Sequence, residues 1–528
     1  MTEHDIAPAV YARRWRTLPV LCLSLAIVMV ANGSLNVALP ALARDLSASS
    51  SELQWMVDAY ALVFAGLLFT AGALGDRFGR KEMLQGGLVL FLVGAFVAVV
   101  ASNPAQVIAS RAVMGLAAAC IMPSTLAILT NIFPAAERGR AIALWAGIAA
   151  GTAALGPPTS GFLLGHFWWG SVFLVNVPFV VAALVLGARL VPTSKDAEGR
   201  PLDLVGALLS MLGVGALIYA IIEAPADGWT STRTLAGFTV AAAFLAAFAA
   251  RERTARHPML DLRLFRDRRF SVASGGMALS FFAMFGSFFL VTQYLQLVLG
   301  CSALTAGLLL LPISLIMMVL APRGPRLAAR FGVNRVVAAG LASAATGLFV
   351  LANLDATTPA AAIYLAFVPM VAGMAVTMPS LTTLIMSAVP PGSAGVGSAM
   401  NDTTREMGGA LGVAVLGSLL TTRYAGALGP ELAGLPTSAQ ATANTGLAGA
   451  LDVARDLPGQ AGPALADAAR TAFVDGMGLA AGLAAVTVLA TAALAYRLLP
   501  AGHLTIAVTE EPPEAAPADV AADLPAAG

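Results

Sequence analysis

Five charged side chains stand inside long apolar stretches of the sequence, and their types and spacing could do proton chemistry. Asp58 lies in one stretch and Arg111 in a second, while Asp402, Arg405 and Glu406 share a third. An acid without a full partner in a low-dielectric segment holds a proton more readily than it does in water. Asp402 and Glu406 are four residues apart, so they share one helix face, where Arg405 neutralises only one of them. These spacings predict a site that takes up and releases protons.

Each of these residues also has a structural explanation, which the sequence leaves open. Asp58 lies between Trp55 and Tyr60 and would then be a solvated acid in an interfacial aromatic belt. Arg111 would be a polar link between helices. Inserting a charged side chain at the bilayer centre costs roughly 2.5–3.5 kcal/mol, so such a link would have to offset that cost. Asp402, Arg405 and Glu406 would neutralise one another and stabilise the start of their helix.

The composition identifies the class of protein that must position these residues. Of 528 residues, 58% are hydrophobic and only 11% are charged, and the mean hydropathy is +0.82. A soluble protein carries about a quarter charged residues, and disordered chains are far less apolar. The net charge of +1 gives no reason to expect a nucleic-acid partner. The continuous apolar runs predict an all-α integral membrane protein.

The runs free of Asp, Glu, Lys and Arg predict fourteen transmembrane helices at roughly 20 residues per span. The basic residues concentrate on alternate connections, which the positive-inside rule assigns to the cytoplasm. With an even number of spans, both termini lie in the cytoplasm, and we expect the protein in the inner (plasma) membrane. A cleaved signal peptide is the alternative for the first helix, but its apolar stretch is too long. The predicted helices are 17–40, 54–75, 83–101, 104–129, 139–163, 171–191, 202–222, 234–250, 270–298, 303–322, 334–354, 360–386, 396–420 and 473–497.

A repeated segment divides the chain into two halves. Leu74 to Gly79 and Leu327 to Gly332 share the pattern Leu-x-x-Arg-Phe-Gly, each between the second and third helices of a six-helix set. Helices 7 and 8 are then an insert, and parallel repeats of this kind are typical of secondary transporters. The expected domains are a cytoplasmic N-terminus 1–16, a six-helix bundle 17–191, two inserted helices with a cytoplasmic basic loop 192–269, a second six-helix bundle 270–499 with an external loop 424–470, and a disordered cytoplasmic tail 500–528.

Three motifs carry a resemblance to a known family. Gly72 to Lys81 (GALGDRFGRK) resembles the signature loop of the major facilitator superfamily. The fourteen-helix count resembles its drug:proton antiporter branch, the EmrB/QacA type. Arg111 to Gly115 is similar to the branch motif of helix 4, with Met114 in place of Gln, and GPPTSG at 156–161 is similar to the antiporter motif of helix 5, with Ser160 in place of Gly. The resemblance implies the major facilitator fold, with two six-helix bundles plus two inserted helices.

The resemblance also implies roles for individual residues. Arg111 would take part in proton transfer. Gly151, Gly156, Pro157 and Gly161 would form the antiporter motif, which seals the transporter against leak, although plain helix packing is the alternative. The charges of the loop at 72–80 suggest a gating role by themselves: Asp76 could dock at the positive start of helix 13 and hold the cytoplasmic side closed. An ordinary positive-inside turn is the alternative, and in the second repeat Ala329 takes the place of the Asp. The gating-loop residues are Gly72, Asp76, Arg77, Gly79 and Arg80.

An aromatic and methionine-containing surface is the candidate substrate cavity. Such a surface suits varied apolar ligands, although aromatic stripes are more often packing or lipid contacts. In the antiporter branch an acid often precedes the Asn of helix 1 by five residues, and Ala31 stands there in this chain. That departure favours a neutral or anionic substrate. The candidate cavity residues are Asn36, Tyr60, Phe285, Phe289, Gln293 and Met378.

Motifs of other protein classes are missing from the sequence. The two lysines, Lys81 and Lys195, do not stand in a P-loop, and neither G-x-S-x-G nor H-E-x-x-H occurs. We therefore expect no enzyme, no cofactor and no metal site. The sequence predicts a proton-coupled exporter of drugs or antibiotics that works by alternating access, with substrate, protons and the bilayer as its partners. A proton-coupled importer of a small metabolite on the same fold is the alternative, and the helix 5 motif favours export. The sequence does not predict an oligomeric state.

Overall fold

The structure, a computed structural model, describes residues 8–194, 203–255, 262–388 and 394–499. Within these ranges all regular elements are helical. Part of the expected basic loop (256–261), the basic residues Lys195 and Arg200, and the expected disordered tail 500–528 lie outside the described residues. The structure therefore addresses the helical bundle and the connections that remain.

The described chain contains fourteen helices of 15 residues or more, which we number in chain order. Four shorter α-helices and a π-helical turn, Tyr294–Val298, connect some of them. The fourteen are α1 Pro8–Asp45, α2 Ser50–Phe78, α3 Arg80–Val99, α4 Pro104–Ile132, α5 Ala135–His166, α6 Asn176–Leu190, α7 Leu204–Asp227, α8 Thr232–Thr254, α9 Arg268–Gln293, α10 Ala303–Leu320, α11 Val333–Ala352, α12 Ile363–Ser387, α13 Ala394–Leu432 and α14 Ala461–Leu498.

Twelve helices of the described chain are long and apolar enough to cross a membrane. The two long helices outside this group are α2 and α5, of 29 and 32 residues. Many large apolar side chains on the outside of the bundle are exposed, which suits contact with lipid better than with water. The protein is therefore a multi-pass membrane protein.

The first six and the last six long helices repeat one set of contacts. In the first set, α1 packs against α5 and α6, α2 against α4, and α3 against α4 and α6. The second set has the same contacts, with α9 in place of α1, α10 in place of α2, and so on to α14 in place of α6. Between the sets, α5 packs against α10, and its counterpart α13 packs against α2. The molecule is thus built from two copies of one helical arrangement.

The two helices between the sets form a hairpin that lies on the junction of the halves. Helix α7 packs against α8, and it also contacts both α2 and α13. Helix α8 is far less buried than α7 in its apolar part. The insert therefore covers the seam between α2 and α13 and is more than a spacer between the two sets.

Gly79 and Gly332 close the repeated segment in the same way. Each has a positive φ, 129° and 89°, and each donates its N–H to the carbonyl four residues before it, at 3.0 Å. The next long helix starts at the following residue in both copies, Arg80 and Val333. Glycine is required at such a turn because other residues are strained at positive φ. The repeat seen in the sequence therefore corresponds to a repeated backbone geometry.

Replacement of Gly79 by Ala is expected to destabilise the protein by roughly 1–3 kcal/mol, because it places a Cβ at a positive φ. The added atom would also meet the Glu82 side chain. The thermal midpoint in detergent, followed by fluorescence, measures the effect. Gly86→Ala is the control, since Gly86 lies in α3 with nothing within 4 Å of an added Cβ. Equal midpoints for the two variants would contradict the requirement for glycine.

Two regions are more helical than the sequence predicts. Helix α1 begins at Pro8, inside the expected N-terminal segment 1–16. The expected external loop 424–470 is largely helical: α13 continues to Leu432, α14 starts at Ala461, and two short helices, Thr437–Asn444 and Leu447–Asp456, lie between them. This loop is rich in alanine, the strongest helix former, and the short helix Leu447–Asp456 also packs against α14. Propensity and packing together explain the difference.

Candidate functional site

Arg111 is completely buried in the first helical set. Its side chain is 0% exposed, and its Nε donates to the Met56 carbonyl of α2 at 3.0 Å. The guanidinium lies over the ring of Tyr60, 4.3 Å from the ring centroid. Neither Nη1 nor Nη2 has a hydrogen-bond partner in the described chain. Arg111 therefore faces the interior of the first helical set.

Glu406 of α13, in the second helical set, is close enough to Arg111 for their charges to interact. It interacts electrostatically with Arg111 and with its own neighbours Asp402 and Arg405. Asp402 accepts from Asn401 at 3.4 Å and forms a salt bridge with Arg405 at 3.5 Å. No ion pair within 4 Å is found for Glu406 among the described residues. The site therefore couples charges from both halves.

Arg405 also contacts the aromatic helix α9. Its guanidinium lies 4.7 Å from the ring centroid of Phe281, a side chain that is 5% exposed. A cation over an aromatic face is stabilised electrostatically, more so away from water. Arg405 thus divides its charge between Asp402 and an aromatic ring, and it does not form a fixed pair with Glu406.

Asp58 lies in the interior of α2 with no partner for its carboxylate. The side chain is 0% exposed, and neither oxygen has a hydrogen-bond partner within the described ranges. It stands one helical turn after Gln54, which faces α13: a Cβ added to Gly417 would lie 2.7 Å from Gln54 Cδ. Asp58 is therefore on the face of α2 directed at the seam with α13, and not in a solvated interfacial belt.

The inserted helix α7 bonds to both halves at this seam. The Ser418 hydroxyl of α13 donates to the Ile221 carbonyl of α7 at 2.8 Å and lies 3.3 Å from Gln54 Oε1. From α2, the Ser51 hydroxyl donates to the Ile222 carbonyl at 3.3 Å. The Trp55 indole also donates to Glu223, at 3.3 Å. Nothing in the sequence indicated this bridge.

The helix 5 motif, residues 156–161, lies where the backbone of α5 packs closely against the backbones of α1 and α10. A Cβ on Gly161 would lie 2.5 Å from the Ala303 carbonyl oxygen of α10, and one on Gly307 would lie 2.4 Å from the Pro157 carbonyl oxygen. Towards the other side of α5, the Ser34 hydroxyl donates to the Gly156 carbonyl at 3.1 Å. The motif therefore joins α5 to α1 within its own half and to α10 of the other half. The side-chain surroundings of Gly151 lie outside the described residues.

The gating-loop residues are mostly helical, because α2 continues to Phe78 and only Gly79 interrupts the backbone. The Arg80 N–H donates to the Ser194 carbonyl at 2.9 Å, and Arg77 is exposed. Gly72 faces Pro123, 3.7 Å from an added Cβ. The side chain of Asp76 lies outside the described residues, so its docking on helix α13 stays a prediction.

The candidate cavity residues differ in their burial. Phe289 and Gln293 are 2% and 6% exposed, and the Gln293 amide donates to the Phe289 carbonyl at 3.2 Å. Phe285 and Met378 are half-buried, and so is Asn36, whose Oδ1 has no partner in the described chain. The structure brings Phe285 close to Phe281 and Gly409, while Tyr60 lies against Arg111.

The halves are joined at the end of the bundle that carries few arginines, the connections 45–50, 227–232, 298–303 and 432–461. There the Thr445 carbonyl accepts from the N–H and the hydroxyl of Ser50, at 2.8 and 3.0 Å. The Gln296 amide, in the π-helical turn, donates to the Val37 carbonyl of α1 at 2.9 Å. A cavity of about 430 Å³ remains at this end, between α1, α5, α10, α14 and the short helix Leu447–Asp456, and its lining includes Arg44, Arg455 and Arg470.

The sequence profile described as Major Facilitator Superfamily matches residues 21–413, well over half of the chain. The chain belongs to the major facilitator superfamily. It is 37% identical over 483 residues to the multidrug efflux pump LfrA of Mycolicibacterium smegmatis, covering 91% of this chain and 95% of that protein. It is 34% identical over 504 residues to the tetracenomycin C resistance and export protein of Streptomyces glaucescens, covering 93% of each.

Solved structures of membrane transporters share the fold of this chain. A bacterial homologue of the human lysosomal transporter Spinster, in an inward-facing and unoccupied conformation, matches with a TM-score of 0.66. The match has 17% sequence identity and covers 92% of this chain and 97% of that one. At this identity the likeness establishes the fold alone, which agrees with the repeated helix contacts of the two sets.

Proposed function

We propose that the protein is a proton-coupled exporter of drugs or antibiotics that works by alternating access. The observation that carries the proposal is that Arg111, fully buried in one half, is close enough to Glu406 of the other half for their charges to interact. An electrostatic interaction between the two halves changes whenever they rock, so it links proton binding to conformation. The names of the relatives, a multidrug efflux pump and a resistance and export protein, support export and drug-like substrates.

Asp58 and Glu406 are the proposed proton carriers. A buried carboxylate without partners is costly as an anion, so Asp58 carries a proton in this conformation. Arg111 offers Glu406 a countercharge, and Asp402 and Arg405 adjust how strongly Glu406 needs it. Opening of the seam between α2 and α13 hydrates these acids and releases their protons.

The conformational cycle opens and closes the arginine-poor end. In the closed form, the α5 motif lies against α10, and Ser50 and Gln296 bond across the halves. The gating residues Gly72 to Arg80, with Asp76, act at the opposite, arginine-rich end. By the positive-inside rule that end is cytoplasmic, so the closed end faces outward in the plasma membrane.

We further propose fourteen spans, with α2 and α5 added to the twelve apolar helices. The Thr17 hydroxyl bonds to the Leu190 carbonyl, and Lys81 bonds to the Ala188 carbonyl, so the starts of α1 and α3 lie at one end with the finish of α6. Helix α2 connects the far end of α1 to the start of α3, and it must therefore cross the bundle.

Helix α5 must cross for the same reason. Arg14, in the first turns of α1, forms a two-bond salt bridge with Glu137 at the start of α5, each bond 2.8 Å. Helix α6, which follows, finishes at that same end. This count fits the drug:proton antiporter branch, with bundles at 17–191 and 270–499 and an insert at 192–269.

The cavity residues define the proposed substrate class. Phe285 and Met378 offer an apolar, adaptable surface, and Asn36 offers an amide whose oxygen has no partner in the described chain. Ala31 is 5% exposed on α1 and brings no acid. We therefore propose lipophilic substrates that are neutral or anionic, with Phe289 and Gln293 as the supporting layer behind the cavity.

Uptake into inverted vesicles with an imposed pH gradient tests the function. We expect fluorescent or labelled compounds to accumulate only when the vesicle interior is acidic, with matched neutral and anionic compounds above cationic ones. Vesicles from cells without the protein are the control. If a nutrient moves together with the protons and no drug moves against them, the proposed exporter would have to be replaced by a proton-coupled importer.

A further inference from the structure

Tyr60 is almost completely buried, whereas a tyrosine that lines an open cavity would be partly exposed. Its side chain is 1% exposed, and its hydroxyl has no hydrogen-bond partner in the described part of the chain. One face of its ring receives the Arg111 guanidinium, and the Phe64 ring lies 5.8 Å from its ring. The contact that the ring makes is therefore with a buried charge, and the hydroxyl contributes no bond to it.

The backbone fixes this contact from both helices. Arg111 and Gly115 are four residues apart, so they stand on one face of α4. A Cβ on Gly115 would lie 2.4 Å from the Tyr60 carbonyl oxygen, and Arg111 Nε donates to the Met56 carbonyl four residues earlier on α2. Glycine thus lets α4 approach until the guanidinium reaches the ring.

The terminal nitrogens of Arg111, Nη1 and Nη2, are available to a group from the other half of the molecule. Both Nη atoms are without hydrogen-bond partners in the described ranges, and the acid whose charge acts on Arg111 is Glu406 of α13. Glu406 acts on Tyr60 as well. The ring therefore holds one face of the guanidinium while its edge stays available to a carboxylate that belongs to the moving half.

We propose that Tyr60 is a positioning residue: its ring holds Arg111 in place for Glu406 as that acid gains and loses a proton. This proposal rests on the proton-coupled function above. The other charged groups that act on Glu406 are Asp402 and Arg405, beside it on α13. Asp58 is two residues from Tyr60 on α2, so its side chain points to a different face of the helix from the Tyr60 ring. Because the aromatic ring makes the contact with Arg111 and the hydroxyl makes none, phenylalanine should replace tyrosine without loss of function.

The test compares Tyr60→Phe with Tyr60→Leu in gradient-driven vesicle uptake. Tyr60→Phe should keep the wild-type rate within about twofold, whereas Tyr60→Leu should lower the maximal rate about tenfold or more, the scale of one desolvated cation–π contact. The pH dependence of the rate should shift in Tyr60→Leu alone, and KM should change little in both. Phe64→Leu is the matched control, since it removes an equally buried ring next to Tyr60 that holds no charge.

The outcomes separate this proposal from the function on which it rests. A Tyr60→Leu protein with the wild-type rate and pH profile overturns the positioning role, and so does a change confined to KM, which would mark a cavity contact. Impairment of Tyr60→Phe equal to that of Tyr60→Leu would assign the role to the hydroxyl. If Tyr60→Leu does not fold, Gly115→Ala, which displaces α4 from Tyr60, must give the shifted pH profile. Loss of gradient-driven uptake in the wild type itself would instead remove the proposed function.

Discussion

Replacement of Asp58 by Asn is expected to abolish gradient-driven accumulation of substrate. Proton motive force of 100 mV supplies about 2.3 kcal/mol per net charge moved, which supports roughly a 45-fold substrate gradient. Asn at this position cannot bind or release a proton, and its neutral amide suits a site that is 0% exposed. We therefore expect the variant to fold and to equilibrate substrate, but not to concentrate it. The accumulation ratio in inverted vesicles measures this effect.

The control for Asp58→Asn is Asp45→Asn. Asp45 is an exposed acid at the end of α1, so its loss removes a charge of the same sign without touching the seam. Exchange of labelled for unlabelled substrate, with no gradient imposed, should persist in both variants. A full pH-driven gradient in Asp58→Asn would mean that Glu406 and Asp402 carry the protons without it.

Replacement of Gly161 by Val is expected to prevent closure of the arginine-poor end. The first side-chain atom would lie 2.5 Å from the Ala303 carbonyl oxygen and 2.7 Å from Leu304 Cα, and both are backbone atoms of α10. Overpacking costs roughly 1–3 kcal/mol. A cost of that size in one conformation shifts the equilibrium about 5–150-fold towards the other. Transport should fall by about fivefold or more, because every cycle passes through the closed form.

The matched control is Gly165→Val, one turn further along α5, where nothing lies within 4 Å of an added Cβ. The conformational readout is labelling of Val37→Cys by a membrane-impermeant maleimide, in a background without the three native cysteines. Val37 is 0% exposed in the closed form. Labelling should rise in Gly161→Val and stay low in Gly165→Val. Equal labelling in both variants would show that the α5 motif does not control closure.

The close glycine contacts are of two kinds, those within one half of the molecule and those between the halves. On α13, the counterpart of α5, a Cβ on Gly412 would lie against the Phe282 carbonyl oxygen of α9 at 2.1 Å. This contact lies within one half, as does that of Gly156 with α1. Gly161 and Gly417, by contrast, meet helices of the opposite half. Only the second kind of contact must break in each cycle, and the sequence shows no difference between them.

The sequence by itself determined the class of protein and the positions of most helices, because apolarity and the scarcity of charge are local properties. It also determined the repeat, since Gly79 and Gly332 are needed wherever the backbone takes a positive φ. For the 424–470 segment it was less informative: turn residues are visible there, but helix formation depends on packing against the bundle.

Only the tertiary structure decided which charges meet. A buried arginine needs partners, yet nothing near Arg111 in the sequence indicates the contact with the Tyr60 ring or the electrostatic interaction with Glu406. Those contacts arise where helices distant in the chain pack together, and their register sets which side chains face each other. The same is true of α7, whose backbone carbonyls at Ile221 and Ile222 bind Ser418 and Ser51 from opposite halves. Carbonyl partners leave no signal in residue type, so the bridge could be found only in the folded chain.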